Sequence, residues 1–160
     1  MTNPAKRLSP NRSRRQTGST TLSRPAATAA TVLGIDPGLA RTGIGVIRHA
    51  QGAFQRIHAE VIRTDANLPI ATRLARISER VRECATKYRP AVAAVERVFV
   101  NVNPHSSLQL GQARGAALAA LGESEVPVVE ISPNAVKKNL TGDSNADKRQ
   151  VAAVVRRLLA

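Results

Sequence analysis

The stretch Val32-Leu33-Gly34-Ile35-Asp36-Pro37-Gly38 decides the reading of this chain. An apolar run of this length that stops at a turn signal reads as a short buried strand, and Pro37-Gly38 supplies the turn. The acid Asp36 closes that apolar run. Two further strands are expected downstream, Gly43 to Ile47 and Phe54 to Ile62, joined near Gln51-Gly52. The three together predict an antiparallel meander. The period then changes. Ile70, Leu74, Ile77, Val81, Cys84 and Tyr88 recur at steps of four, three, four, three and four, which is one face of a helix over 67–89. Its other face is rich in Arg, and Pro90 ends it.

Ala91 to Val100 is apolar except for Glu96 and Arg97, and reads as a strand buried on both faces. A helix is expected over 105–121, a strand from Val126 to Ile131 and a short helix from Pro133 to about Leu140. After the polar loop Thr141 to Asn145, a final amphipathic helix begins near Ala146. The order β-β-β-α-β-α-β-α-α predicts an α/β protein with a mixed sheet flanked by helices.

The chain has 160 residues, 42% of them hydrophobic, which is one domain's worth of core. With one Tyr, two Phe and no Trp, that core must be aliphatic. There are 24 Lys and Arg against 11 Asp and Glu, a formal charge of +13, which favours a polyanionic partner over a neutral one. Residues 1–30 hold six of those cations and no acid, and lack any apolar period. They read as a disordered basic extension. It is a DNA-tethering tail, a transit peptide or a leader read from a wrongly assigned start. The absence of an amphipathic helix favours a dispensable tail or the last of these. Residues 31–160 keep 18 cations against the same 11 acids, a net +7, so the ordered part is basic on its own account.

The single cysteine, Cys84, excludes an internal disulfide and a cysteine-rich metal site, and fits a reducing cytoplasm. No secretory signal pattern or membrane-length apolar run is present. Gly43-Ile44-Gly45 lacks the third glycine of a dinucleotide fingerprint, and no Walker loop exists. His49, His58 and His105 lack metal-ligand spacing and read as ordinary surface or loop histidines.

Two acids stand where acids are costly: Asp36 at the end of the first strand and Glu96 inside the fourth. A buried carboxylate must be paired or bound to metal. If the two strands are neighbours, both carboxylates meet at one sheet edge and can hold hard divalent cations for phosphodiester cleavage. The competing reading makes Asp36 a turn cap and pairs Glu96 with Arg97 of a neighbouring chain or with Arg114. The small residues Gly111, Ala113, Gly115, Ala116 and Ala117 define a helix face suited to close packing, either within the domain or in a dimer.

Leu33-Gly34-Ile35-Asp36-Pro37-Gly38 with Thr42-Gly43-Ile44-Gly45-Val46-Ile47 resembles the first hairpin of the RuvC family of Holliday-junction resolvases. Val95-Glu96-Arg97-Val98-Phe99 resembles that family's fourth strand, and Leu110-Gly111-Gln112-Ala113-Arg114-Gly115 its next helix. Asn134-Ala135-Val136-Lys137-Lys138 and Ala146-Asp147-Lys148-Arg149-Gln150-Val151 resemble the basic stretch that follows strand five. The four segments run in order over about residues 32–160.

The resemblance implies an RNase H-like nuclease domain over 31–160, with a mixed five-stranded sheet. It implies a homodimer that cuts four-way DNA junctions symmetrically in recombination and repair, dependent on Mg2+ or Mn2+. It also implies partnership with a branch-migration motor of the RuvA and RuvB type. Carried over by position, Asp36 and Glu96 are metal ligands and catalytic acids. Phe99 reaches the junction's unstacked bases, and Lys137 and Lys148 meet phosphates near the scissile bond.

Members of that family carry one more helix with two further acids in an Asp-Ala-x-Ala-like setting. The sequence to Ala160 has no counterpart, and Asp143 and Asp147 lie upstream in the basic loop. A site with two carboxylates is expected to bind metal weakly and to cut poorly, while DNA binding suffers less. The alternative functions are a junction-binding protein of the same fold without nuclease activity, and a relative that cuts RNA–DNA hybrids. Retention of Asp36 and Glu96 argues against the first, and the Phe99, Lys137 and Lys148 matches argue against the second.

Overall fold

The structure, a computed structural model, describes residues 29–97 and 103–159. Most of the basic extension expected over 1–30, and Phe99 with it, lies outside the described residues. Five strands and four helices follow in order: β1 (Ala30–Asp36), β2 (Arg41–Ala50), β3 (Ala53–Arg63), α1 (Ile70–Tyr88), β4 (Val92–Glu96), α2 (Pro104–Glu123), β5 (Val128–Ile131), α3 (Pro133–Thr141) and α4 (Lys148–Leu158).

One sheet is formed, in the order β3-β2-β1-β4-β5. β1 runs antiparallel to β2 and parallel to β4, β2 runs antiparallel to β3, and β4 runs parallel to β5. The expected meander and mixed sheet are therefore present. The strand pleat sends alternate residues to opposite faces. Leu33, Ile35, Ile44, Val46, Ala93 and Val95 go to one face and form the core with Ile77, Val81 and Cys84 of α1 and the alanines of α2. The helical period of α1 is as expected, except that Ile70, at its first turn, is exposed. Ala113, Ala117, Ala120 and Leu121 are the buried positions of α2, and α1 packs against it. The alanine side of α2 thus serves packing within the domain.

β4 departs from expectation. It ends at Glu96 and is buried only at alternate residues, Ala93 and Val95. Its other side faces an open cleft, so both-faced burial does not hold.

The turn after Asp36 is held tightly. The Thr42 hydroxyl donates to the Gly38 carbonyl at 2.8 Å and accepts from its N–H at 3.3 Å, and Thr42 is fully buried. The Thr64 hydroxyl donates to the Leu39 carbonyl and accepts from Arg73 Nε at 2.9 Å, which ties the turn to the end of β3 and the start of α1. A Cβ on Gly38 would lie 2.5 Å from the Arg41 carbonyl oxygen, whereas one on Gly45 would meet nothing within 4 Å. Gly38→Ala is therefore expected to destabilise the fold by about 1–3 kcal/mol, the scale of overpacking. In a thermal melt the midpoint falls by roughly 2–4 °C per kcal/mol. Gly45→Ala, by contrast, should change stability by less than about 1 kcal/mol.

Candidate active site

Asp36 ends β1 and Glu96 ends β4, and these strands are adjacent and parallel. The last registered pair is Ile35 with Val95, so Asp36 and Glu96 stand side by side one residue further on. They share the sheet face opposite the aliphatic core. Arg97 N–H donates to the Ile131 carbonyl at 2.8 Å and pins the end of β4 to β5.

The carboxylates interact directly. Burial first, then the hydrogen bond to Asp36 and its negative charge, push the Glu96 carboxyl up to about 7, and Lys148 acts in the opposite sense. Two carboxylates this close, with the exposed Lys148 as the cation that acts on Glu96, form a pair that a divalent cation would stabilise further. Among the described residues, Arg114 and Arg97 both turn to Glu130 and neither is paired with Glu96. Arg114 Nη2 pairs with Glu130 at 2.6 Å, and Arg97 Nε lies 3.7 Å from the same carboxylate.

The surroundings suit a bulky anionic ligand. Gly34, Gly43, Gly45 and Ala94 line the cleft beside the pair, with Val136 of α3 at its rim. These small residues, beside Ile131, let a ligand backbone come close over that part of the cleft. Lys148 opens α4, is exposed, and projects its charge onto Glu96. Lys137 is half-buried on α3, next in sequence to Val136. Of the expected site residues, the structure gathers Asp36, Glu96 and Lys148, sets Lys137 beside a lining residue, and leaves Phe99 outside the described residues.

Asp143 and Asp147 are engaged locally. Asp147 caps α4, accepting from the N–H groups of Arg149 and Gln150 at 2.7 and 2.9 Å, and Gln150 completes the capping box. Asp143 Oδ1 accepts from Asn145 N–H at 2.8 Å. Neither is a spare ligand for the pair.

A second cluster escaped the sequence. His58 and Glu60 alternate along β3, opposite Val46 and Ile44, and so face α1. Glu60 accepts from Arg80 Nε at 2.8 and 3.0 Å and from the Cys84 thiol at 3.4 Å. Burial opposes ionisation of Glu60, but its hydrogen bonds with Arg80, His58 and Cys84 outweigh it and hold the carboxyl below its usual range. His58 stacks on Tyr88, ring centroids 5.4 Å apart. His58 is thus no simple surface histidine. Its stacking partner Tyr88 is 30 residues away on α1, and Arg80 and Cys84 are 20 and 24 residues from Glu60, so no local spacing announces them.

A mixed sheet in this strand order, with paired carboxylates at the ends of adjacent parallel strands, defines a nuclease of the RNase H-like fold. The profile of the family described as crossover junction endodeoxyribonuclease RuvC matches residues 32–160. The chain is 47% identical over 128 residues to the RuvC endonuclease of Hyphomonas neptunium, covering 80% of this chain and 77% of that one. It is 46% identical over 133 residues to the Neisseria meningitidis serogroup B protein of the same name, covering 83% and 75%. The structure of T. thermophilus RuvC in complex with Holliday junction substrate superposes with a TM-score of 0.77 at 37% identity, covering 81% of this chain and 79% of that one. The chain belongs to the RuvC crossover junction endodeoxyribonuclease family.

The raised Glu96 carboxyl gives a signed expectation. A carboxyl whose folded pKa exceeds its unfolded value stabilises the fold below the unfolded pKa of about 4.5, and that contribution is lost as pH rises through about 7. In chelator, the melting temperature is therefore expected to lose this contribution between pH 5 and 8. Glu96→Gln should flatten that part of the profile. An equal slope in the variant would mean that the pair is not the source.

Proposed function

We propose that this chain is a structure-selective DNA endonuclease that resolves Holliday junctions by hydrolysing phosphodiester bonds, with Asp36 and Glu96 holding the divalent metal. The observation that carries this reading is the close carboxylate pair at the ends of β1 and β4 in a chain of this family. The donors are all oxygen, which suits hard ions such as Mg2+, with Mn2+ as a substitute. When bound, the metal supplies Lewis acidity and lowers the pKa of a coordinated water.

The protein's own contribution is positional. The β1–β4 register fixes the carboxylates, and the Thr42–Gly38 and Thr64–Arg73 bonds keep the Asp36 turn from moving. Gly34, Gly43, Gly45 and Ala94 admit the DNA backbone to the pair. Lys148 neutralises a phosphate oxygen next to the site, and Lys137 meets the strand further along α3. Phe99 stacks on a base unpaired at the crossover, an interaction worth about 1–3 kcal/mol per base. A second copy supplies the symmetric cut. It packs on the exposed side of α2, where Leu108 is 61% exposed and Gly111 and Gly115 present no side chain. A branch-migration motor of the RuvA and RuvB type presents the junction, and the work takes place in the cytoplasm.

The test is cleavage of an end-labelled four-way junction in Mg2+ at low salt, with linear duplex as control. Slow symmetric nicking of the junction is expected from a site with two carboxylates, falling further by up to about 10²–10³ in Asp36→Asn and in Glu96→Gln, the scale for removing one charge-stabilising group. Junction-selective binding without nicking by the unaltered protein would favour the non-catalytic reading. In a separate titration against salt, Lys148→Ala should lower the magnitude of the log–log slope for junction binding by about 1. An unchanged slope would place Lys148 off the DNA.

A further inference from the structure

We propose that His58, Glu60 and Cys84 form a second metal site, distinct from the Asp36–Glu96 pair, that takes one borderline-soft divalent ion of the Zn2+ class. His58 Nε2, a Glu60 carboxylate oxygen and Cys84 Sγ all lie within 4.8 Å of one another. Two of the edges are 3.2 Å, from His58 Nε2 to Glu60 Oε1, and 3.4 Å, from Cys84 Sγ to the same oxygen. A tetrahedral ion with ligand bonds of about 2.0–2.3 Å needs edges of roughly 3.3–3.8 Å. Two of the three edges are thus close to ligand geometry before any ion enters, and the third, from His58 Nε2 to Cys84 Sγ, is within 4.8 Å.

His58 and Glu60 are held in place by contacts that would survive metal binding. His58 and Glu60 project from the same face of β3, and the His58 ring is fixed against Tyr88. Nε2 of His58 is buried and lies 3.2 Å from Glu60 Oε1, so it is aimed into the cluster. Arg80 Nε contacts both carboxylate oxygens; with Oε1 on the ion it keeps Oε2 and orients the carboxylate, as outer-shell partners of metal ligands do. The side chains of His58 and Glu60 are 26% and 23% exposed, enough for an ion and one water to reach the open fourth position.

Imidazole and thiolate select Zn2+ or Co2+ over Mg2+, whereas the oxygen-only pair on the other face of the sheet does the reverse. Binding is not redox chemistry: the Cys84 thiol passes its proton to solvent as the Sγ–metal bond forms. In the metal-free protein burial, with the hydrogen bond to Glu60, pushes that thiol up to about 11, so the ion competes with a proton, as thiolate ligation requires. Once formed, the site links β3 to α1 and stiffens the sheet from its core side.

The test uses the full, metal-free chain titrated with Co2+ in excess Mg2+, which keeps the oxygen site filled. Cys84 is the chain's one cysteine, so a thiolate-to-cobalt charge-transfer band reports on this cluster alone. A band that saturates at one Co2+ per chain, is displaced by Zn2+, and needs at least about tenfold more Co2+ in His58→Gln supports the site. No band, or one unchanged in a folded His58→Gln, overturns it. Should that variant not fold, X-ray absorption of the zinc-loaded unaltered protein decides. One sulfur and one imidazole around zinc support the proposal, and an all-oxygen shell overturns it.

Discussion

The juxtaposition of two carboxylates on neighbouring parallel strands governs this molecule. Asp36 and Glu96 are adjacent only because β1 and β4 pair in one particular register. A slip of one residue would send one of them to the aliphatic side of the sheet. Their repulsion opposes that register, and the core enforces it: Leu33 and Ile35 on β1 and Ala93 and Val95 on β4 are all buried on the opposite face. The hydrophobic effect thus holds together two like charges that would separate in a looser scaffold. A bound cation would turn that conflict into an attraction.

The two faces of the sheet are built from different residue sizes for this reason. Branched aliphatics fill the side that meets α1 and α2, and the alanines of α2 let that helix approach closely in a chain with almost no aromatics. The other side is paved with Gly34, Gly43, Gly45 and Ala94, which pack little and keep the cleft open. Stability comes from the first face and access from the second. The Gly38–Thr42 and Thr64–Arg73 bonds join them, since they fix the turn that carries Asp36 to the helix behind it.

The α3–α4 hairpin is assembled on another principle. Neither helix has a buried residue, and their main packing is on each other. Their ends are settled by caps: Ser132 on α3, Gly142 in the left-handed conformation after it, and the Asp147–Gln150 box on α4. Asp147 is engaged as the cap of α4, and its neighbour Lys148 is a cation that acts on Glu96. The hairpin leaves basic side chains such as Lys138, Lys148 and Arg149 exposed while contributing little to the core.

The sequence alone determined the elements and their order, because alternation in strands and the four–three period of α1 are local patterns that burial imposes on nearby residues. It also singled out Asp36 and Glu96, since a carboxylate within an apolar run is costly wherever it stands, and through its resemblance it named Lys148. Only the tertiary structure decided that the two acids meet, because strand adjacency is a long-range choice among topologies. It assigned Arg114 and Arg97 to Glu130, turned one side of β4 toward a cleft instead of a second layer, and gave the alanines of α2 to the domain's own core. It also brought His58 and Glu60 of β3 to Cys84 of α1. Such a cluster leaves no mark in the sequence, because each partner is an ordinary residue in its own element and only the packing of helix on sheet makes them neighbours.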